Sequence, residues 1–169
     1  MNAYLRPTAA IGPDLLLPTD PALALALAQE LLTKPLMANH SHGLRGYVGK
    51  TERGDALGIQ ASGIGGPSAA AVLGELAAHG ARRAIRIGRC ETLDPALGPG
   101  TVVLVRACHG ADGTSRALGS TNPASDPVLL EALAGALEPA PIVDDAVSFD
   151  VAPAPAGARS RSGSTPAAG

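Results

Sequence analysis

Residues 59–91, IQASGIGGPSAAAVLGELAAHGARRAIRIGRCE, read as strand, glycine-rich loop, helix and strand. Residues 57–61 are an apolar run of strand length. In Ser62-Gly63-Ile64-Gly65-Gly66 the missing Cβ atoms let a ligand come close to the backbone. Pro67 suits the first turn of a helix and Gly80 its end, so a helix is predicted over 69–79 and a strand over 84–88. A loop that opens onto a helix N-terminus presents free N–H groups to an anion or polar ligand.

Working outward, Asp14–Pro18 (DLLLP) reads as a short buried strand. Asp20 can cap a helix that begins at Pro21 and runs to about Thr33. That helix is apolar nearly all round, with Leu23, Leu27 and Leu31 at i, i+4 spacing, which suits the inside of a domain or a subunit interface. Residues 37–49 and 57–61 read as strands joined by a polar turn through Thr51-Glu52-Arg53-Gly54. Strands are further expected at 101–107 and 141–147, and a helix at 126–137. Strands alternating with helices predict an α/β domain around a central sheet, spanning residues 1–150. The remaining residues, 151–169, are Ala, Pro, Gly and Ser with two arginines and no acid. With so little to bury, that tail is expected to be disordered.

The bulk properties narrow the classes. At 169 residues with 46% hydrophobic content, one domain with a real core is expected. Aromatics make up only 2%, so Ala, Leu, Val and Ile must build that core. A net charge of −2 gives no general pull toward nucleic acid or anionic membrane, so any anion binding must be local. Cys90 and Cys108 have no metal-ligand spacing, which predicts reduced thiols and a cytoplasmic chain. Neither a signal-like apolar segment nor a run of membrane-spanning length is present in the sequence.

The glycine loop admits several ligands. A dinucleotide fingerprint needs a third glycine where Ser68 stands, and an acid where the next strand ends in arginine. A P-loop needs Gly-Lys-Ser/Thr, which does not follow. The simplest structural alternative is that the glycines only permit close helix–strand packing. Arg86 points to phosphate instead: a guanidinium at the carboxyl end of an α/β strand faces the usual ligand crevice. Its structural alternative is an ion pair with Glu75 or Asp94. His40 and His42 would share a face of one strand, but no third metal ligand has recognisable spacing. His79 would cap a helix end, and His109 is expected in a loop. No Gly-x-Ser-x-Gly elbow occurs, which removes support for a triad hydrolase.

The run Ser62-Gly-Ile-Gly-Gly-Pro-Ser68, with Glu75-Leu, residues 80–88 (GARRAIRIG) and Leu93-Asp-Pro, resembles the nucleoside phosphorylase-I family of purine nucleoside and uridine phosphorylases. The segments at 17–21 (LPTDP), 39–49 (NHSHGLRGYVG) and 111–118 (ADGTSRAL) are similar as well. The resemblance implies an α/β sandwich with a mixed central sheet flanked by helices. It also implies cleavage of a purine or pyrimidine nucleoside to free base and ribose 1-phosphate, with phosphate as co-substrate and no other cofactor. Homo-oligomers built from dimers are expected, hexameric in the family. By the same resemblance, Arg86, Arg89 and Thr19 fall at phosphate-binding positions. Gly63, Ile64, Gly65, Cys90 and Glu91 fall at nucleoside-binding positions, and His42 takes the place of an arginine offered across the subunit interface.

The sequence also departs from the family. Leu23 stands where an arginine binds phosphate, Thr19 replaces a glycine, Arg89 replaces a Ser/Thr, and Glu91 replaces a glycine. A Glu-Met-Glu ribose motif is absent, so the family's C-terminal part is expected to be missing and turnover weak or absent. Two further readings stay open: a non-catalytic nucleoside-binding or hetero-oligomerising relative, and a hydrolytic nucleosidase.

Overall fold

The structure, a computed structural model, describes residues 4–151. Apart from Val151, the expected disordered tail lies outside the described residues.

The main sheet runs in the order β2 (Leu36–Asn39), β3 (Gly46–Lys50), β4 (Ala56–Gln60), β1 (Asp14–Pro18), β5 (Arg83–Ile87). β1 is parallel to both β4 and β5, while β2, β3 and β4 run antiparallel in sequence, so the sheet is mixed. Side chains alternate across a strand, and β1 shows this directly. Leu15 and Leu17 enter a cluster with Leu5, Leu44, Val72 and Leu76, whereas Leu16 packs toward the opposite face with Ala24, Ala28 and Ile59.

Helix α1 (Pro21–Leu31) covers one face and helix α2 (Gly65–Ala78) the other. Asp20 caps α1 by accepting from the Ala22 N–H at 2.8 Å, with Pro21 in its first turn. The buried stripe of α1 is Ala24 and Ala28, continued by Leu32 just past its end, not the leucine row the spacing suggested, and Leu31 is 37% exposed. Alanines let the helix lie close against β3 and β4, while the leucines spread along its flanks. α2 starts at Gly65, four residues before the expected Ala69, because Gly65, Gly66 and Pro67 form its first turn. It ends where Gly80 turns left-handed at φ +102°, a conformation that costs glycine little.

Residues 37–49 are not one strand. A single 3-10 turn at Ser41–Gly43 separates β2 from β3, with His42 at φ +53° and Gly43 at φ +72°. The two left-handed residues reverse the chain, so His40 and His42 do not share a strand face.

After β5, strands β6 (Val103–Gly110) and β7 (Ile142–Ser148) pair in parallel as a second, two-stranded sheet. Helices α3 (Gly113–Ala117) and α4 (Pro127–Ala136) lie between them in sequence. His109, expected in a loop, lies in β6 opposite Val147, because the ladder resumes beyond an irregularity between Val105 and Cys108. α3 was not foreseen. Its Thr114 packs on the first turn of α2 so closely that a Cβ on Gly66 would come within 2.7 Å of the hydroxyl.

Candidate functional site

The parallel pairing of β1 with β4 continues past the strand ends. The Ser62 N–H donates to the Pro18 carbonyl at 2.8 Å, and the Gly63 N–H to the Thr19 carbonyl at 3.2 Å. Two loops distant in sequence, 18–20 and 62–65, are thereby zipped side by side at the carboxyl edge of the sheet. Gly63 sits at φ +74°, and a side chain there would collide with the Ser68 hydroxyl. That hydroxyl donates to the Ser62 carbonyl at 2.6 Å and holds the loop in place. Ile64 projects from the loop, 91% exposed, at the N-cap of α2, with no side-chain cap of its own. The first N–H groups of α2 therefore have no side-chain cap from Ile64.

Over this edge lies an open groove of about 610 Å³, lined by Tyr4, Thr19, Asp20, His42, Gly63, Ile64 and Ser68 among others. Tyr4 and His42 form one wall, with ring centroids 5.8 Å apart and planes tilted by 44°. Asp20, the groove's one carboxylate among its described lining residues, is engaged in capping α1. Another cavity, about 10 Å³ between Ile11, Asn39, Tyr47 and Leu76, has room for about one water.

Arg86 adjoins the groove through Thr19, donating from Nη2 to Oγ1 at 3.4 Å. Neither expected carboxylate holds it. Glu75 accepts from the Tyr4 and Leu5 N–H groups, and Asp94 accepts from the Ala96 N–H. Among the described residues no ion pair engages Arg86. Arg86 is itself exposed. β5 is the sheet's edge strand, so the guanidinium stays exposed at no desolvation cost. Its field reaches Cys108 on β6: burial pushes the thiol's pKa up, Asp112 adds to this, and Arg86 opposes it.

The structure gathers Thr19, His42, Gly63 and Ile64 around the groove, with Gly65 next in the first turn of α2 and Arg86 adjoining. Arg89, Cys90 and Glu91 follow β5 in an exposed segment outside the groove lining. Tyr4 and Ser68 were missed. Tyr4 is one of only two tyrosines in the chain, and an aromatic in an otherwise unpatterned N-terminal stretch was the available signal. Ser68 carried none, because its bond to Ser62 depends on the loop conformation.

A second polar cluster lies on the smaller sheet. Arg106 donates to Asp145 at 2.9 Å, and His109 stands 2.9 Å from Asn122 Oδ1 and 3.3 Å from Asp145 Oδ2. The contacts with Asn122 and then Asp145 hold the His109 pKa above its usual value, and Arg106 lowers that of Asp145. Asp112 is brought down to about 2 by the backbone N–H and hydroxyl of Ser115. Among the described residues no group of three His, Cys, Asp or Glu side chains is arranged to hold a metal, and no helix is long and apolar enough to cross a membrane.

With this geometry in view, comparison with known proteins is informative. The family model described as the phosphorylase superfamily matches residues 15–154. A DeoD-type purine nucleoside phosphorylase from Oceanobacillus iheyensis is 31% identical over 97 residues, covering 57% of this chain and 41% of that protein. A uridine phosphorylase from Treponema pallidum is 34% identical over 106 residues, covering 63% of this chain and 40% of that protein. The chain thus spans less than half the length of these curated relatives. The crystal structure of a Toxoplasma gondii purine nucleoside phosphorylase in complex with immucillin-H shares the fold. Its TM-score is 0.75 at 23% identity, over 84% of this chain and 59% of that one.

Proposed function

This chain belongs to the phosphorylase superfamily, and from that premise we propose that its groove takes a nucleoside together with inorganic phosphate. The reaction would be phosphorolysis to free base and ribose 1-phosphate. The observation that carries this reading is the juxtaposition of Thr19, Gly63 and Ile64 at one sheet edge, with the Arg86 guanidinium, unpaired among the described residues, on the Thr19 hydroxyl. A guanidinium free of carboxylate partners can offer bidentate hydrogen bonds to a phosphate. The N–H groups at the start of α2 add donors and a favourable dipole. The sugar would lie along residues 63–65, where the glycines admit it to the backbone. Phosphate would then serve as nucleophile while its charge stabilises the oxocarbenium-like sugar.

A second reading, nucleoside binding without turnover, is favoured by one specific feature. Asp20, the one carboxylate among the described groove-lining residues, is engaged in capping α1, which leaves no free carboxylate among them to protonate a departing base.

Incubation with inosine or uridine, with and without phosphate, separates the readings by the release of free base. Phosphate-dependent release supports phosphorolysis, and release without phosphate supports hydrolysis. Binding without release supports the non-catalytic reading. Under phosphorolysis, Arg86→Gln raises the half-saturating phosphate concentration by roughly tenfold or more, the worth of a charge-assisted hydrogen bond. Unchanged phosphate dependence in Arg86→Gln would remove that residue from the site.

A further inference from the structure

The two chain segments that make the Tyr4–His42 wall of the groove are tied to one buried side chain. Asn39, at the end of β2, is 2% exposed. Its Nδ2 donates to the Leu44 carbonyl, and its Oδ1 accepts from the Ser41 N–H at 3.4 Å, so it spans the 3-10 turn that carries His42. The same Oδ1 accepts from the Arg6 N–H at 2.9 Å, which fastens the segment carrying Tyr4. Gln60, also buried, supports the arrangement by donating to the Leu44 carbonyl at 3.0 Å and to the Ala61 carbonyl at 2.9 Å. Gly46 is the residue Gln60 crosses, and any Cβ there would strike the amide. On the far side, Glu75 takes the Tyr4 and Leu5 N–H groups.

A buried amide is costly unless its donors and acceptors are met, and an apolar side chain would fill this position more cheaply. What an apolar residue could not do is hold two separate backbone segments in register. Resting on the reading that the groove binds a nucleoside, we propose that Asn39 is a positioning residue. It holds Tyr4 and His42 together as one wall of the groove, and so sets the fit of the nucleoside, while leaving the phosphate end to Arg86 and Thr19. Asn39 acts through that wall and is not itself part of the groove lining.

The test uses the full chain with two variants. Asn39→Ala removes both ties, and Arg6→Pro removes the N–H that Oδ1 accepts, with urea unfolding run alongside to show that the core around the neighbouring Leu5 is retained. Three quantities are read: the nuclear Overhauser contact between the Tyr4 and His42 rings, inosine and uridine affinity, and phosphate affinity. The expected result is loss of the ring contact and roughly tenfold weaker nucleoside binding in both variants, with phosphate affinity unchanged. Should Asn39→Ala fail to fold, Arg6→Pro decides alone. A variant that keeps the ring contact, or one that loses nucleoside and phosphate affinity equally, overturns the proposal. Failure of the wild-type chain to bind either nucleoside sinks the functional reading instead, and the ring contact still judges whether Asn39 positions the Tyr4–His42 wall.

Discussion

The half of the chain that ends with α2 and the half that begins after β5 are built on different physics. Every buried hydrophobic side chain among the described residues lies between Leu5 and Leu76. Beyond Leu76 the one fully buried residue described is Asp112, a polar group held by Ser115. The first half is an α/β sandwich with apolar clusters on both faces of its sheet. The second is a two-stranded parallel sheet with exposed Val143 and Val147, and a helix, α4, with no buried residue. It is held by local polar devices: the Asp126 cap on α4, the Asp150 carboxylate on the Gly113 N–H, and the cluster around Asp145. Parallel strands normally need both faces covered, and exposed ion pairs contribute little. The groove draws its lining from the first half, which places the candidate site on the part of the molecule with the buried apolar core.

The largest expected effect comes from the core itself. Leu17 is 1% exposed, and Leu17→Ala is expected to cost about 2–5 kcal/mol in urea unfolding. Val147→Ala, at a site 49% exposed, is expected to cost about 1 kcal/mol or less. Equal losses at the two positions would break the contrast between the halves.

Matched caps sharpen it further. Asp20→Ala and Asp126→Ala each remove a side-chain cap worth about 1 kcal/mol. α1 packs through Ala24 and Ala28, so its loss should appear in global stability. α4 has nothing buried to transmit the change, so faster hydrogen exchange confined to residues 127–136 is expected. A global loss from Asp126→Ala would show that α4 is coupled to the core after all.

The smallest effect is a pH dependence of the second sheet. His109 is raised above its ordinary 6.5, with Asn122 and Asp145 facing it and Arg106 and Asp144 close by. A raised pKa means the protonated form is favoured in the folded state. The stabilisation is therefore complete below about 6.5 and fades as pH climbs through the raised value. Amides of β7 should exchange faster at pH 8 than at pH 6, after correction for the intrinsic rate, and His109→Gln should abolish the difference. A pH effect of equal size in β1 would contradict its assignment to this cluster.

Much of the framework was legible because its signals are local. Asp14–Pro18 is a strand as expected, and Asp20 with Pro21 marks the start of α1 through a cap and a fixed φ that need no partner. Gly80 ends α2 for the same kind of reason. The failures needed three dimensions. The strand expected over 37–49 breaks at His42 because tight reversals leave little mark in an apolar alternation. For Arg86 the sequence left an ion pair with Glu75 or Asp94 open, because only the fold decides which groups a strand's side chains reach.

The residues of the candidate site divide in the same way. By itself the sequence determined the strand–loop–helix of residues 59–80 and the family to which it belongs, because glycine spacing and capping residues act on the backbone within a few positions. Only the tertiary structure decided that Tyr4, Thr19, His42 and Ile64 face one groove, that Arg86 rests on Thr19 and not on a carboxylate, and that Arg89, Cys90 and Glu91 stand outside it. The physical reason is the zipper between the loops after β1 and β4. Its hydrogen bonds join residues more than forty positions apart, and no local preference encodes such a pairing.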